Sequence, residues 1–301
     1  FTVPILLMNN FTLYMIAAGK SALSMVCSIT GGILNIVLDY VFISILDMGI
    51  AGAAIATGLG YSVTAVAGLV IFSKKDCLLH FVKPVCRIRT LVSAASNGSS
   101  EMAAALVTGI VTMMFNWTML KYVGENGVAA ITIIMYVLMF ATSLYTGYSY
   151  GVAPMISFYY GEQNQDKLKK LIRLSMKIIG FIGAAALMVS LAVTEPLVAI
   201  FARPDNPVYD LAVTGNRICS SALVFIGFNV FASGMFTALS NGLVSAVLAF
   251  SRSFVFMVAA MLILPAILGV TGAWLATPAA EAAAFLLSAV MFIKYRKKYQ
   301  Y

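Results

Sequence analysis

An all-α, polytopic membrane protein is the fold class this sequence predicts, and three observations predict it. Sixty-one per cent of the 301 residues are hydrophobic, ten per cent are charged, and the mean hydropathy is +0.97, far from a soluble average. Apolar runs recur along the whole length, most of them at or beyond the roughly 20 residues a helix needs to cross the hydrocarbon. Segments of alternating polarity, which a membrane barrel requires, are missing. The repetition of the runs excludes a lone signal peptide or a single anchor.

Taken in order between charges and turn residues, helices fall near 1–18, 22–46 and 50–72, then near 89–117, 127–158 and 168–194, and finally near 208–238, 244–266 and 270–293. These are nine, the first of them short. The longest hydrophilic interruption in the first third is 73–88 (SKKDCLLHFVKPVCRI), which is basic, contains Pro84 and reads as a cytoplasmic linker.

The charges set a topology. With the linker inside and the sides alternating, Lys20, Lys74, Lys75, Lys83, Arg87, Arg89, Lys167, Lys169, Lys170, Arg173, Lys177, Lys294, Arg296, Lys297 and Lys298 lie inside, which is 15 of the 19 basic residues. Lys121, Arg203 and Arg217 lie outside, and Arg252 falls within a helix. The bias predicts a cytoplasmic C-terminus in a cytoplasmic (plasma) membrane. The net charge of +8 therefore reads as a topology signal, and no nucleic-acid partner is expected.

Two stretches repeat at a distance of 220 positions: Gly49–Thr57 reads GIAGAAIAT and Gly269–Thr277 reads GVTGAWLAT. Such a repeat in a membrane chain marks a duplicated transporter, with substrate handled where the halves meet. It aligns the three helices before the linker with the last three of the chain. Six helices follow the linker and only three precede it. The expected organisation is thus 1–72 as the last three helices of an N-terminal bundle, 73–88 as linker and 89–297 as a C-terminal six-helix bundle. On this reading the chain is the C-terminal two-thirds of a twelve-helix, two-bundle protein, and an inactive transporter fragment is one of its readings.

Several stretches, in order, resemble the multidrug and toxic compound extrusion (MATE) antiporters, in their bacterial cation-coupled branch. They are Asn35-Ile-Val-Leu-Asp39 followed by Gly49-Ile-Ala-Gly-Ala-Ala, then Ser100-Glu101 with Phe115-Asn116 and Gly127-Val-Ala-Ala, then GYSYGVAPMISFYYG from Gly147 to Gly161, and last Ser251-Arg252 with Gly272-Ala-Trp-Leu-Ala-Thr-Pro-Ala-Ala-Glu281. The resemblance implies two six-helix bundles, a central cleft that rocks between inward- and outward-open states, and export of organic cations in exchange for protons or sodium. It implies no other cofactor. A monomer in the bilayer is the expected state.

Charges inside a membrane cost about 2.5–3.5 kcal/mol each on insertion scales and therefore need a reason. Glu101 lies about 12 residues into its helix, roughly 18 Å at the helical rise. Glu281 and Arg252 sit at similar depth, about 11 and 10 residues in. A carboxylate there can take a proton or a small cation while substrate competes. Glu101 matches the acidic position on the family's seventh helix and is the first candidate for cation coupling, including sodium. Asn116 matches a recurring Asn of the branch, with helix packing as its other reading. Where the family often has an aspartate on its tenth helix, this chain has Phe228 and Asn229; Glu281 is then the candidate second carboxylate. For Arg252 and Glu281 a purely structural ion pair stands as an equal alternative. Asp39, nearer the outer end of its helix, is expected to cap or pair, with a part in transport as its other reading.

Gly147 and Gly151, with Pro154 three residues on, permit close backbone approach and a kink. Tyr136, Met139, Tyr145 and Asn229 are candidate cleft residues, the aromatic and thioether groups suiting organic cations through cation–π contact and adaptable packing. The competing reading is a lipid-linked saccharide flippase of the same superfamily, which would need several deep basic residues for its phosphates. An enzyme is not expected: His80, the one histidine, is in the linker, and HExxH does not occur. Cys77, His80 and Cys86 match no zinc spacing, and no metal centre is expected.

Overall fold

A computed structural model describes residues 2–74, 79–83 and 88–299, with the side chains at 17, 89, 90, 93–105 and 297 outside the described set. The Glu101 side chain, and much of the 73–88 linker, therefore lie outside the described residues. Among the described residues all regular structure is helical. The chain divides into two compact units, Phe1–Leu91 and Val92–Tyr301.

Unit 1 holds α1 (Thr2–Ala17), α2 (Ser21–Asp39, continued by a π turn, Tyr40–Ile45) and α3 (Gly49–Phe72). The helices α2 and α3 cross where a Cβ on Gly31 would meet the Gly60 carbonyl oxygen at 2.6 Å, and one on Gly60 would meet the Gly31 oxygen at 2.8 Å. Small residues at a crossing are how membrane helices gain van der Waals contact where apolar burial itself drives little. Phe11, Met15 and Phe72 bury the other end of the unit.

Unit 2 contains α4 (Ile88–Tyr122), α5 (Glu125–Gly161), α6 (Gln165–Ala192), α7 (Thr194–Phe201), α8 (Pro207–Cys219), α9 (Leu223–Ala238), α10 (Gly242–Phe250) and α11 (Met257–Tyr299); α4 itself begins four residues before the division. Asparagine side chains cap three starts: Asn164 accepts from Lys167 N, Asn206 from Val208 N and Asn241 from Val244 N. One core joins Phe115, Met119, Ile134, Val213 and Trp274. Another joins Ile156, Leu168, Phe231, Phe236 and Tyr299.

Three features depart from the expected spans. A short helix, α7, follows α6, because Pro196 lacks the N–H that would continue the ladder to Ala192. The 208–238 run is interrupted by a 3₁₀ turn, Ser220–Ala222, and the 244–266 run by a π turn, Ser251–Phe256. Among the described residues, six helical segments are long and apolar enough to cross a membrane by length and composition, α10 through α11 counting as one. That last segment is two helices in the backbone, broken at Gly269 (φ +59°, ψ −132°).

The repeat carries a matching backbone. Gly49 has φ +55° and Gly269 φ +59°. Both glycines supply a positive φ that other L-residues adopt only at a cost, so each copy of the nine-residue stretch opens on a glycine in that region.

Candidate functional site

Glu281, on the second half of α11, is 4% exposed. The Arg252 Nε donates to both of its carboxylate oxygens, at 2.8 and 3.0 Å. Asn229 Nδ2, from α9, donates to Oε2 at 2.8 Å and to the Glu281 carbonyl at 2.9 Å. Ser288 Oγ in turn donates to Asn229 Oδ1 at 3.1 Å. The π turn carries Arg252 to this point, and the i, i+7 spacing of Glu281 and Ser288 puts both on one face of α11. Every carboxylate oxygen has a partner, as a buried charge requires.

Asp39 is the opposite case. Its Oδ1 is buried without a hydrogen-bond partner, and no ion pair to it exists among the described residues. The expected capping or pairing role is therefore not what the structure contains. One turn earlier on α2, Asn35 Nδ2 donates to Thr57 Oγ1 of α3 at 3.5 Å. Sequence reasoning quoted Asn35 and Thr57 only as repeat and motif residues. The signal for Asn35 was its i, i+4 spacing from Asp39 in an otherwise apolar run.

The remaining expectations divide. Asn229 belongs to the Glu281 cluster, 3% exposed, rather than to an open substrate surface. Tyr145 is 1% exposed and donates its hydroxyl to the Leu223 carbonyl at 2.8 Å, so it packs α5 against α9 and lines no cleft. Tyr136 and Met139 are exposed. Met139 lines a hollow of about 450 Å³ with Met135, Thr142 and Thr146. Asn116 is not a partner of Glu281. It lines a cavity of about 900 Å³ with Trp117, Glu125, Thr132, Phe201 and Asn206. A Cβ added at Gly147 or Gly151 would meet nothing within 4 Å among the described residues. Those glycines thus make no close helix approach there, and α5 runs on through Pro154. No cluster of three or more metal-ligating residues occurs among the described residues.

Comparison with known proteins places the chain. The MatE family model matches residues 101–263. The multidrug export protein MepA of Staphylococcus haemolyticus is 25% identical over 282 residues, covering 93% of this chain and 61% of the relative. MepA of Staphylococcus saprophyticus is 23% identical over 258 residues, covering 84% and 56%. The chain thus spans about three-fifths of the length of the curated relatives it matches. An outward-facing multidrug resistance MATE family transporter of the MOP superfamily superposes with a TM-score of 0.85 at 23% identity, covering 97% of this chain and 66% of that one. A MOP superfamily transporter from Pyrococcus furiosus gives 0.82 at 24%, covering 96% and 66%. Fold, membrane-spanning composition and the family match over more than half the residues agree: the chain belongs to the MatE family.

Proposed function

We propose that the chain is part of a secondary active antiporter of the cytoplasmic membrane that exports organic cations or drugs in exchange for protons or sodium ions. The export function named for its relatives supports the reading. The observation that carries it is the buried Asp39 oxygen without a partner. A desolvated carboxylate oxygen left unpaired is costly, and a proton or a small hard cation removes that cost. Asn35, one turn earlier on α2, is itself bonded to Thr57 of α3. Glu101 keeps the role its motif implies, with Glu281 and Arg252 fixing the charge at a second buried position.

The hydrophobic, aromatic and thioether surface at Tyr136 and Met139 suits apolar cations. The flippase reading fares worse, because Arg252, the one deep cation of the apolar helices, is already paired with Glu281. The protein acts as a monomer with its C-terminus in the cytoplasm, and needs no cofactor beyond the coupling ion.

Efflux of a fluorescent organic cation from proteoliposomes under an imposed proton or sodium gradient tests this. Asp39→Asn and Glu101→Gln should each abolish gradient-driven efflux while leaving membrane insertion intact. Normal efflux in both variants overturns the assignment.

A further inference from the structure

The basic end of unit 2 holds a second, chemically distinct cavity. It measures about 350 Å³ and is lined by Tyr159, Tyr160, Gln163, Gln165, Lys298 and Tyr299, over Leu168. The lining joins the end of α5, the start of α6 and the end of α11. Its polar side chains are an ammonium, two amides and tyrosine hydroxyls, all able to donate to an anion. No carboxylate lines it; Glu162 and Asp166 flank it in sequence and are exposed.

The rim is a lattice of cations and rings. Lys298 Nζ stands 5.2 Å from the Tyr299 centroid and 5.9 Å from that of Tyr295. Lys167 Nζ stands 5.6 Å from the centroid of Tyr159. Tyr160 and Tyr299 meet edge-on at 5.6 Å. Lys169, Lys170, Arg173, Lys177, Lys294 and Arg296 surround the rim on the same two helices and are exposed. Tyrosines at helix ends beside lysines mark the depth of the lipid headgroups.

The backbone adds an independent observation. Gln163 has φ +57°, at the turn where its N–H bonds Tyr160 O and the next N–H bonds Tyr159 O. This is the helix-ending position that favours glycine. A glutamine in that position, on the cavity lining, is a strained residue beside a candidate site. Phe158, the neighbour of Tyr159 and in ring contact with it at 5.7 Å, is exposed and offers apolar surface beside the polar cavity.

We infer that this cavity binds the phosphodiester headgroup of an anionic phospholipid in the cytoplasmic leaflet. The donors take the phosphate oxygens, the surrounding lysines supply the attraction to a negative leaflet, and Phe158 faces the acyl chain. A free phosphate would use the same donors and have no use for the phenylalanine. The inference stands apart from the transport reading, since no residue of the carboxylate sites takes part.

The test uses the full 301-residue chain in phosphatidylcholine vesicles doped with spin-labelled phosphatidylglycerol or spin-labelled phosphatidylcholine. The immobilised fraction should favour phosphatidylglycerol, and Lys298→Gln should cut that preference about fivefold, the equivalent of one surface lysine. Gln163→Gly relaxes the backbone and so keeps the fold; it should also lower the preference. Lys121→Gln, at the other end, should leave it unchanged. Equal immobilisation of the two lipids overturns the proposal, as does a preference indifferent to both cavity variants. Displacement of phosphatidylglycerol by millimolar inorganic phosphate would assign the cavity to a free anion instead, and overturn it too.

Discussion

Two carboxylates, one in each unit, are treated in opposite ways by their surroundings: Glu281 is buried and Asp39 is half-buried. Glu281 has an arginine and an asparagine on its oxygens, and the asparagine is itself held by Ser288. Asp39 has an oxygen with nothing on it. Removal of a charge from water is tolerated only when partners replace the water. On the proposed function, the satisfied carboxylate stays as it is and the unsatisfied one receives the coupling ion. Residue type and depth alone do not separate the two; the partners do.

The largest effect that would break this contrast is on transport. Asp39→Asn should reduce gradient-driven efflux by at least about tenfold in proteoliposomes, a difference of about 1.4 kcal/mol or more in the coupled step. Efflux that survived Asp39→Asn but vanished in Glu281→Gln would reverse the roles. Next comes stability. Arg252→Met leaves Glu281 buried and unpaired and should cost about 3–5 kcal/mol, read from detergent unfolding, whereas the double variant Arg252→Met/Glu281→Met should recover most of the loss. A single variant as stable as the parent would show that the pair is not what holds the cluster.

Smaller effects sharpen the comparison between the repeats. Gly49→Ala and Gly269→Ala should each destabilise by about 1–2 kcal/mol, since both have a positive φ. Unequal losses would mean that the position is used differently in the two units. The smallest effect belongs to the exposed pair of Arg217 with Glu195, at 2.7 Å with both side chains more than half exposed. Arg217→Ala should change stability by no more than about 0.5 kcal/mol, which gives a baseline for an ion pair outside any buried cluster.

Much of the architecture was legible because helix length and hydropathy leave few alternatives in lipid. The spans near 22–46, 50–72, 127–158 and 168–194 match α2 with its π turn, α3, α5 and α6 within a few residues. The repeat at Gly49 and Gly269 was legible as sequence and became a pair of positive-φ glycines. What stayed hidden depends on contacts between helices distant in sequence. Nothing in the string distinguishes Tyr145, which packs against Leu223, from Tyr136, which faces outward. The Arg252–Glu281 pairing was foreseen as an alternative because the two share a depth, while the part of Asn229 in it was not. For Asp39 the sequence suggested a cap or a cation, and among the described residues its Oδ1 has neither.

The π turn at Ser251–Phe256 has a consequence for variants that add or remove a residue. A π turn takes up one residue more than an α-helix does over about the same rotation, so the helices on its two sides keep their phase. Deleting one residue there, so that the segment closes into an ordinary α-helix, would leave α10 and α11 near their present register. The residues that change place are those inside the turn, and Arg252, the partner of Glu281, is one of them. In this region the number of residues matters as well as their type.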